Sequence, residues 1–338
     1  MNTWLGFAWI LLAGLMQGLF PLPMKYTRRW KWEHLWLVYS AAAFFVLPLV
    51  VAWFTVPRLA EVLRQSSPAQ LALTALFGVA WGAGSVFFGL GLDALGMALG
   101  FSLMTALLTA LGAIIPLAVL TPELILQRNG LMTLAGNAVT IAGVILCAMA
   151  GHERDRAMPG SAVQPVLSVK RSFPVALTLC IAAGVLSAMF NFGYAFGSQT
   201  IRLAVSLGAT PDGAVNAIWL VELPAGGIVN VLYCLHLLRK NDSWDRFRGS
   251  ALVEWINAVV MAILWTGSVV VYGWGANALG HLGPTLGWSL WNAILIAATF
   301  TCGLLTHEWD GVRGRPIRLL TAGIAVLIAG MFVLGAGV

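Results

Sequence analysis

The chain alternates long apolar stretches with short polar breaks. Ten stretches of about twenty largely apolar residues stand near 3–22, 35–55, 69–91, 95–120, 130–150, 174–196, 213–237, 252–275, 282–304 and 317–336. A helix crosses the roughly 30 Å hydrocarbon of a bilayer in about 20 residues, so each stretch predicts a transmembrane helix. The narrowest break is Leu92 to Ala94, where Asp93 and the flanking glycines predict a tight turn between the third and fourth spans. The first stretch lacks a basic leading region. It runs through Gln17-Gly18-Leu19-Phe20-Pro21 into a basic loop, which predicts a retained span rather than a cleaved signal peptide.

Composition narrows the class. Of the 338 residues, 59% are hydrophobic and 9% are charged. A soluble domain carries roughly 25% charged residues, so a soluble enzyme is excluded, and so is a polar disordered chain. The net charge is +6, with no basic block interleaved with aromatics, and no nucleic-acid partner is expected. Cys147, Cys180, Cys234 and Cys302 sit in apolar runs without CxxC spacing or a nearby histidine, as small buried hydrophobes do. His34, His152 and His307 fall near loops, His236 near a helix end and His281 in a turn, none at metal-ligand spacing. There is no P-loop, GxSxG or HExxH, so neither a fused ATPase nor an enzyme is expected. No metal or cofactor is expected either.

The basic residues set an orientation. Fifteen of the 19 Lys and Arg fall in alternate loops: Lys25 to Lys31, Arg154 to Arg171, Arg239 to Arg248 and Arg313 to Arg318. The other four are Arg58, Arg64, Arg128 and Arg202. By the excess of Lys and Arg in cytoplasmic loops, the richer side is cytoplasmic. Both termini then face outward, which is periplasmic for the inner membrane of a two-membrane bacterium. Trp30, Trp32, Trp53, Trp244 and Trp309 are placed as interfacial anchors in contact with lipid.

The sequence also repeats itself. Gly89-Leu-Gly-Leu-Asp-Ala-Leu-Gly96 shares its glycines and its closing Ala-Leu-Gly with Gly273-Trp-Gly-Ala-Asn-Ala-Leu-Gly280. Phe101-Ser102-Leu103 echoes Trp288-Ser289-Leu290, Ala13-Gly14-Leu15 echoes Ala183-Gly184-Val185, and Phe20 matches Phe190. The first span thus matches the sixth, and the third matches the eighth. Five spans per copy is an odd number, so the second copy enters the membrane upside down. The predicted fold is an all-α integral membrane protein of ten transmembrane helices in two inverted five-helix repeats. Residues 1–150 form the first repeat, 151–172 a cytoplasmic linker and 173–338 the second repeat. Inverted repeats are characteristic of carriers that give alternating access to one midplane site.

Charge inside the bilayer is costly, which makes it informative. Glu222, in Trp219-Leu-Val-Glu-Leu-Pro224, lies deep in the seventh span. A carboxyl there is expensive to ionise, and it can take a proton from one side and release it to the other. Glu222 is the first candidate for proton coupling and Asp93 the second; Glu254 is placed near the interface. Gln17, Ser102, Asn191 and Asn292 offer donors and acceptors without charge, as a polyhydroxylated solute requires. Trp81, Trp219 and Trp288 lie within spans, where an indole face can cover the apolar face of a sugar ring. These seven are the candidate substrate-binding residues. No basic residue lies deep in a span, which argues against a phosphate or carboxylate substrate. Gly78xxxGly82, Gly96xxxGly100, Gly193xxxGly197 and Gly283xxxGly287 predict close helix packing.

Pro23-Met-Lys25-Tyr-Thr-Arg-Arg-Trp30-Lys-Trp32-Glu33 resembles the bacterial L-rhamnose–proton symporter family. So do Gly78-Val-Ala-Trp81-Gly82-Ala-Gly84, Gly89-Leu90, Leu95-Gly96-Met97-Ala98-Leu-Gly100, and Glu308-Trp309-Asp-Gly with Arg315-Pro316. The likeness covers almost the whole chain. The family is related to the drug/metabolite transporter superfamily, with ten helices in two inverted five-helix repeats. The resemblance implies import of a 6-deoxyhexose such as L-rhamnose, driven by the proton gradient. The chain departs from the family pattern in three places. An asparagine is replaced at Ser85 or Val86, a glutamine is missing from Thr266 to Val271, and Glu222 stands where an uncharged residue is the rule. The alternative is an exporter or exchanger of small metabolites or drugs on the same fold. A membrane sensor without flux fits poorly, because the loops are too short for a signalling domain.

Overall fold

A computed structural model describes residues 3–95, 100–157, 172–307 and 309–336. Among the described residues, ten helices are long and apolar enough to cross a membrane: α1 (Trp4–Tyr26), α2 (Trp32–Thr55), α3 (Pro68–Leu92), α4 (Ser102–Leu120), α5 (Arg128–Arg154), α6 (Phe173–Ser206), α7 (Pro211–Lys240), α8 (Leu252–Ala278), α9 (Gly280–Leu305) and α10 (Arg315–Gly335). Among the described residues there is no strand. Hydrocarbon offers the backbone no hydrogen bonds, so a spanning segment must satisfy its own, and a helix does so. The expected spans match these helices to within a few residues except at the fourth, expected from 95 and found from Ser102, and at the sixth, expected to end at 196 and continued to Ser206 by a second helical piece. Two elements also run further than expected. The helix of α3 runs through position 93 to Leu95, where a tight turn was expected. The helix of α5 runs on to Ala157, seven residues past the expected end of the first repeat. Most of the expected linker (158–171) lies outside the described residues, as do Gly96 and Glu308.

Proline shapes the helices in two ways. Pro174, Pro211 and Pro316 stand in the first turns of their helices, where the missing N–H costs nothing. Pro116 in α4 and Pro224 in α7 stand inside helices. One wide π-type turn, Ala42–Val46, interrupts α2 just before Pro48, and another, Gly283–Gly287, opens α9 around Pro284. Such turns free a carbonyl from the helical ladder. Both freed regions find side-chain partners: Thr266 Oγ1 donates to the Ala43 carbonyl (2.9 Å), and Asn191 Nδ2 to the Pro284 carbonyl (2.5 Å).

The bundle is organised by a few close helix pairs. α3 packs on α6 and α7, α1 on α8 and α9, α4 on α6, and α5 on α10. Glycine makes these approaches possible, since lipid supplies no hydrophobic drive between helices and close van der Waals contact must hold them. Gly78 lies against the Glu222 backbone and Gly82 against Gly226. The outer surface is apolar, with Trp53, Phe54 and Phe332 more than two-thirds exposed, as a lipid-facing surface requires. Two expected interfacial anchors are instead packed inside. Trp30 is buried against Phe247 and Trp255, and Trp309 is buried beneath the Arg154 guanidinium, 5.0 Å from its ring. Both sit on loops that fold back over the bundle, so an indole near a helix end finds protein before it finds headgroups.

The α1–α2 loop is tied to the α7–α8 loop. The Arg29 backbone N–H donates to Glu254 Oε1 (2.5 Å), and its guanidinium donates to the Gly249 and Arg248 carbonyls. Asn241 Nδ2 and Ser243 Oγ donate to Glu33 Oε1 (3.0 and 3.1 Å), and His34 Nε2 pairs with the Ser243 carbonyl (2.7 Å). Glu33, His34 and Glu254 are therefore buried, although the hydropathy pattern places them at span ends.

Candidate functional site

A cavity of about 340 Å³ lies where α1, α2, α3, α4, α6, α7, α8 and α9 converge. That is at the small end of ligand pockets, which run from about 300 to 1,000 Å³. Its wall takes Gln17 and Phe20 from the last turns of α1, Trp36 and Tyr39 from the first turns of α2, and Ser85 and Phe88 from the last turns of α3. These segments share one end of the bundle, the one carrying the basic α1–α2 and α7–α8 loops. The cavity therefore occupies the half of the molecule nearer that end.

Aromatic rings form most of the wall. Trp81 and Trp265 lie nearly parallel, with centroids 5.5 Å apart and planes at 26°, and Phe44 meets both edge-on. Trp288 and Trp291 stand at 65° to each other on α9. Two glycines hold indoles in place. A side chain at Gly226 would collide with the Trp81 ring, and one at Gly112 with the Trp288 ring. The Trp288 Nε1–H donates to the Leu108 carbonyl (3.2 Å), which fixes its tilt.

The polar groups on the wall are Gln17, Tyr39, Ser85, Thr105, Ser187, Asn230 and Asn292, and none of them is charged at neutral pH. Asn230 Oδ1 accepts from Trp36 Nε1 (3.1 Å) and Ser85 Oγ (3.0 Å), joining α2, α3 and α7. Asn292 Nδ2 donates to the Trp288 carbonyl (2.9 Å). Gln17 Oε1 is buried without a hydrogen-bond partner, so it is an acceptor still to be satisfied. Unpaired polar groups between flat apolar rings are what a small neutral polyol needs: hydrogen bonds for its hydroxyls and a ring face for its C–H surface.

Four of the seven expected substrate-binding residues share this wall: Gln17, Trp81, Trp288 and Asn292. The other three stand elsewhere. Ser102 lies off the wall, between the lining residues Phe101 and Thr105. Asn191 is wholly buried with its amide fully engaged. Nδ2 donates to the Gly112 (2.7 Å) and Pro284 carbonyls, and Oδ1 accepts from the Tyr272 hydroxyl (2.6 Å). It therefore joins α6 to α4, α8 and α9. Trp219 stands off the wall and stacks on the lining residue Phe190, at 5.2 Å and 6° between planes, and on Tyr194, at 5.9 Å and 18°. Trp36, Tyr39, Phe44 and Phe190 are lining residues that hydropathy does not single out. Of these, Phe190 carries a sequence signal, as the repeat partner of Phe20.

Glu222 is buried outside the wall, one turn of α7 from Gly226 and one turn from Trp219. Its exposure is 0%, and neither carboxyl oxygen has a hydrogen-bond partner. The carboxyl rests on Gly193 of α6, where any side chain would overlap it. An unpaired buried charge is strongly disfavoured, so this enclosure tolerates the neutral acid. The Asp93 side chain lies outside the described residues. Among the described residues no three His, Cys, Asp or Glu side chains cluster as metal ligands would, and all four cysteines are free and buried.

A family model described as "L-rhamnose-proton symport protein (RhaT)" matches residues 1–338. Proteins named L-rhamnose-proton symporter align along nearly the full chain. That of Cronobacter sakazakii is 26% identical, over 98% of this chain and 97% of its own. Those of Klebsiella pneumoniae and Mannheimia succiniciproducens are 25% and 24% identical over the same shares.

Proposed function

Because the chain belongs to the L-rhamnose–proton symport family, we propose that it imports L-rhamnose or a similar deoxyhexose together with a proton, by alternating access of the cavity. It is a multi-pass inner-membrane transporter and not an enzyme. The observation that carries the substrate class is the uncharged, indole-lined wall, with Gln17, Thr105, Ser187 and Asn292 spaced around Trp81, Trp265 and Trp288. A phosphorylated or carboxylated cargo would call for an Arg or Lys clamp, and among the described residues the wall has none.

In this reading the proton gradient drives uptake without a cofactor, and Glu222 carries the proton. A lone carboxyl closed over by helix backbone is held in its neutral, loaded form, so net proton transport requires that this packing open for the proton to leave to the cytoplasm before the empty carrier returns. Asp93 is the second candidate. The termini face the periplasm and the basic loops the cytoplasm, with lipid around the apolar belt and no nucleic-acid partner. Trp219 and Asn191 act behind the wall, one backing Phe190 and the other joining four helices.

The test is uptake of labelled L-rhamnose into proteoliposomes under an imposed pH gradient. Accumulation that follows the gradient and collapses with a protonophore is expected. The absence of gradient-dependent accumulation of any deoxyhexose would overturn the reading. The rings that outnumber hydroxyls on the wall also suit an amphipathic solute, which is the specific ground for the alternative, an exporter or exchanger of small metabolites or drugs.

A further inference from the structure

Two segments in different halves of the chain share a sequence. Trp36-Leu-Val-Tyr39 opens α2, and Trp219-Leu-Val-Glu222 lies in α7, so Tyr39 and Glu222 are counterparts. The same kind of correspondence, with a shift of 170 for α1 and α6, 183 for α2 and α7, 184 for α3 and α8 and 187 for the last two pairs, maps contacts onto contacts. Gly14 lies against Ile294 and the Trp291 carbonyl; Gly184, its counterpart, lies against Leu107 and the Met104 carbonyl. Gly91 faces Cys180, and Gly275 faces Ile10. Gly136 faces Leu334, and Gly323 faces Cys147. Each second contact is the first with both residues replaced by their counterparts.

The cavity obeys the same rule only in part. Gln17 and Ser187, Trp81 and Trp265, and Thr105 and Asn292 are counterparts, and both members of each pair line it. These residues would face a cavity open to either side. Tyr39, Ser85, Phe88 and Ile296 also line it, but their counterparts Glu222, Val269, Tyr272 and Thr109 do not. All four counterparts are at most 1% exposed. The asymmetry lies in which of two similar packings each half has adopted, and similar packings of one element are what a carrier exchanges.

We infer that the opposite-facing state of this carrier is reached by exchanging the packings of the two halves, so that Glu222, Val269, Tyr272 and Thr109 line its cavity while Tyr39, Ser85, Phe88 and Ile296 are closed over. Glu222 then meets water from the face away from the basic loops. In the structure described here its carboxyl rests on Gly193 and its backbone on Gly78, with the Tyr272 phenol of α8 as a titratable neighbour and, among the described residues, no charged side chain paired with it. This deepens the alternating-access reading and rests on it, but it does not depend on which solute is carried.

Cysteine labelling tests it. The four natural cysteines are buried and give a low background. Ser85→Cys, Ile296→Cys, Val269→Cys and Thr109→Cys are small changes, two for each face, so a variant that fails to fold leaves its partner to report. Each is exposed to a membrane-impermeant maleimide in intact cells and in inside-out vesicles. The cysteines at 85 and 296 are expected to react from one face, and those at 269 and 109 from the other. Reaction of all four from a single face would overturn the inference. So would cysteines at 269 and 109 that resist both treatments in protein that still transports. No sugar is present in the labelling, so failed rhamnose uptake with opposite-face labelling overturns the substrate reading alone.

Discussion

The indoles of Trp81 on α3 and Trp265 on α8 lie 5.5 Å apart at 26°, forming one aromatic slab across the two halves of the chain. A sugar ring laid on that slab would bury its C–H face. Trp81→Ala should raise the KM for the sugar by about 2- to 13-fold, corresponding to the roughly 0.5–1.5 kcal/mol of an aromatic contact. Trp81→Phe should recover part of the loss. The comparison is of initial uptake rates against sugar concentration. An unchanged KM in Trp81→Ala would remove the slab from the binding site.

Glu222→Gln keeps the shape of the side chain and removes its proton exchange. Gradient-driven accumulation should be lost, while sugar-for-sugar exchange across the membrane, which needs no net proton movement, should persist. In the natural protein, uptake should rise as the outside is acidified, because loading precedes closure. In the variant that dependence should flatten. Accumulation that still follows the pH gradient in Glu222→Gln would show that another group carries the proton.

Asn191 makes three hydrogen bonds to three other helices at 0% exposure. Asn191→Leu strands the Gly112 and Pro284 carbonyls and the Tyr272 hydroxyl. We expect a cost of about 2 kcal/mol, read as a lower melting temperature in detergent, with the sugar's KM little changed. A large KM change at normal stability would instead make the amide a ligand for the sugar.

Gly193 gives the Glu222 carboxyl its space. Gly193→Ala should place a methyl group against both oxygens, and the carrier should reach the membrane yet lose proton-coupled accumulation. Normal coupling in Gly193→Ala would mean that α6 and α7 separate at no cost, contrary to the packing described.

A thermal-shift comparison separates the two readings of the cavity. Selective stabilisation by L-rhamnose and related deoxyhexoses favours import of a sugar. Stabilisation by amphipathic amines, with no response to monosaccharides, favours the exporter or exchanger.

The ten helices were legible because length and apolarity are properties of the segment alone. Gln17, Trp81, Trp288 and Asn292 could be named because polar and indole side chains deep in a span are few, although the same signal also singled out Asn191 and Trp219, which stand off the wall. The limits are physical. Apolar residues face lipid and core alike, so hydropathy cannot tell that Phe44 and Trp36 point inward while Trp53 points outward. A buried amide that joins helices looks the same in sequence as one that lines a cavity, which is why Asn191 and Asn292 could not be separated. Trp30, Glu33, His34 and Glu254 owe their burial to the α1–α2 loop lying on the α7–α8 loop, a contact between residues more than two hundred positions apart.

Among the described residues the cavity wall carries no charged side chain, and with a neutral cargo that bears on how the cycle responds to voltage. A neutral sugar crossing with a proton has no countercharge moving beside it, so each proton carried transfers net charge across the membrane. The membrane potential then works on uptake directly, contributing about 2.3 kcal/mol per 100 mV for each proton carried. A transporter of this design is electrogenic, and it can concentrate sugar even when the two sides of the membrane are at the same pH.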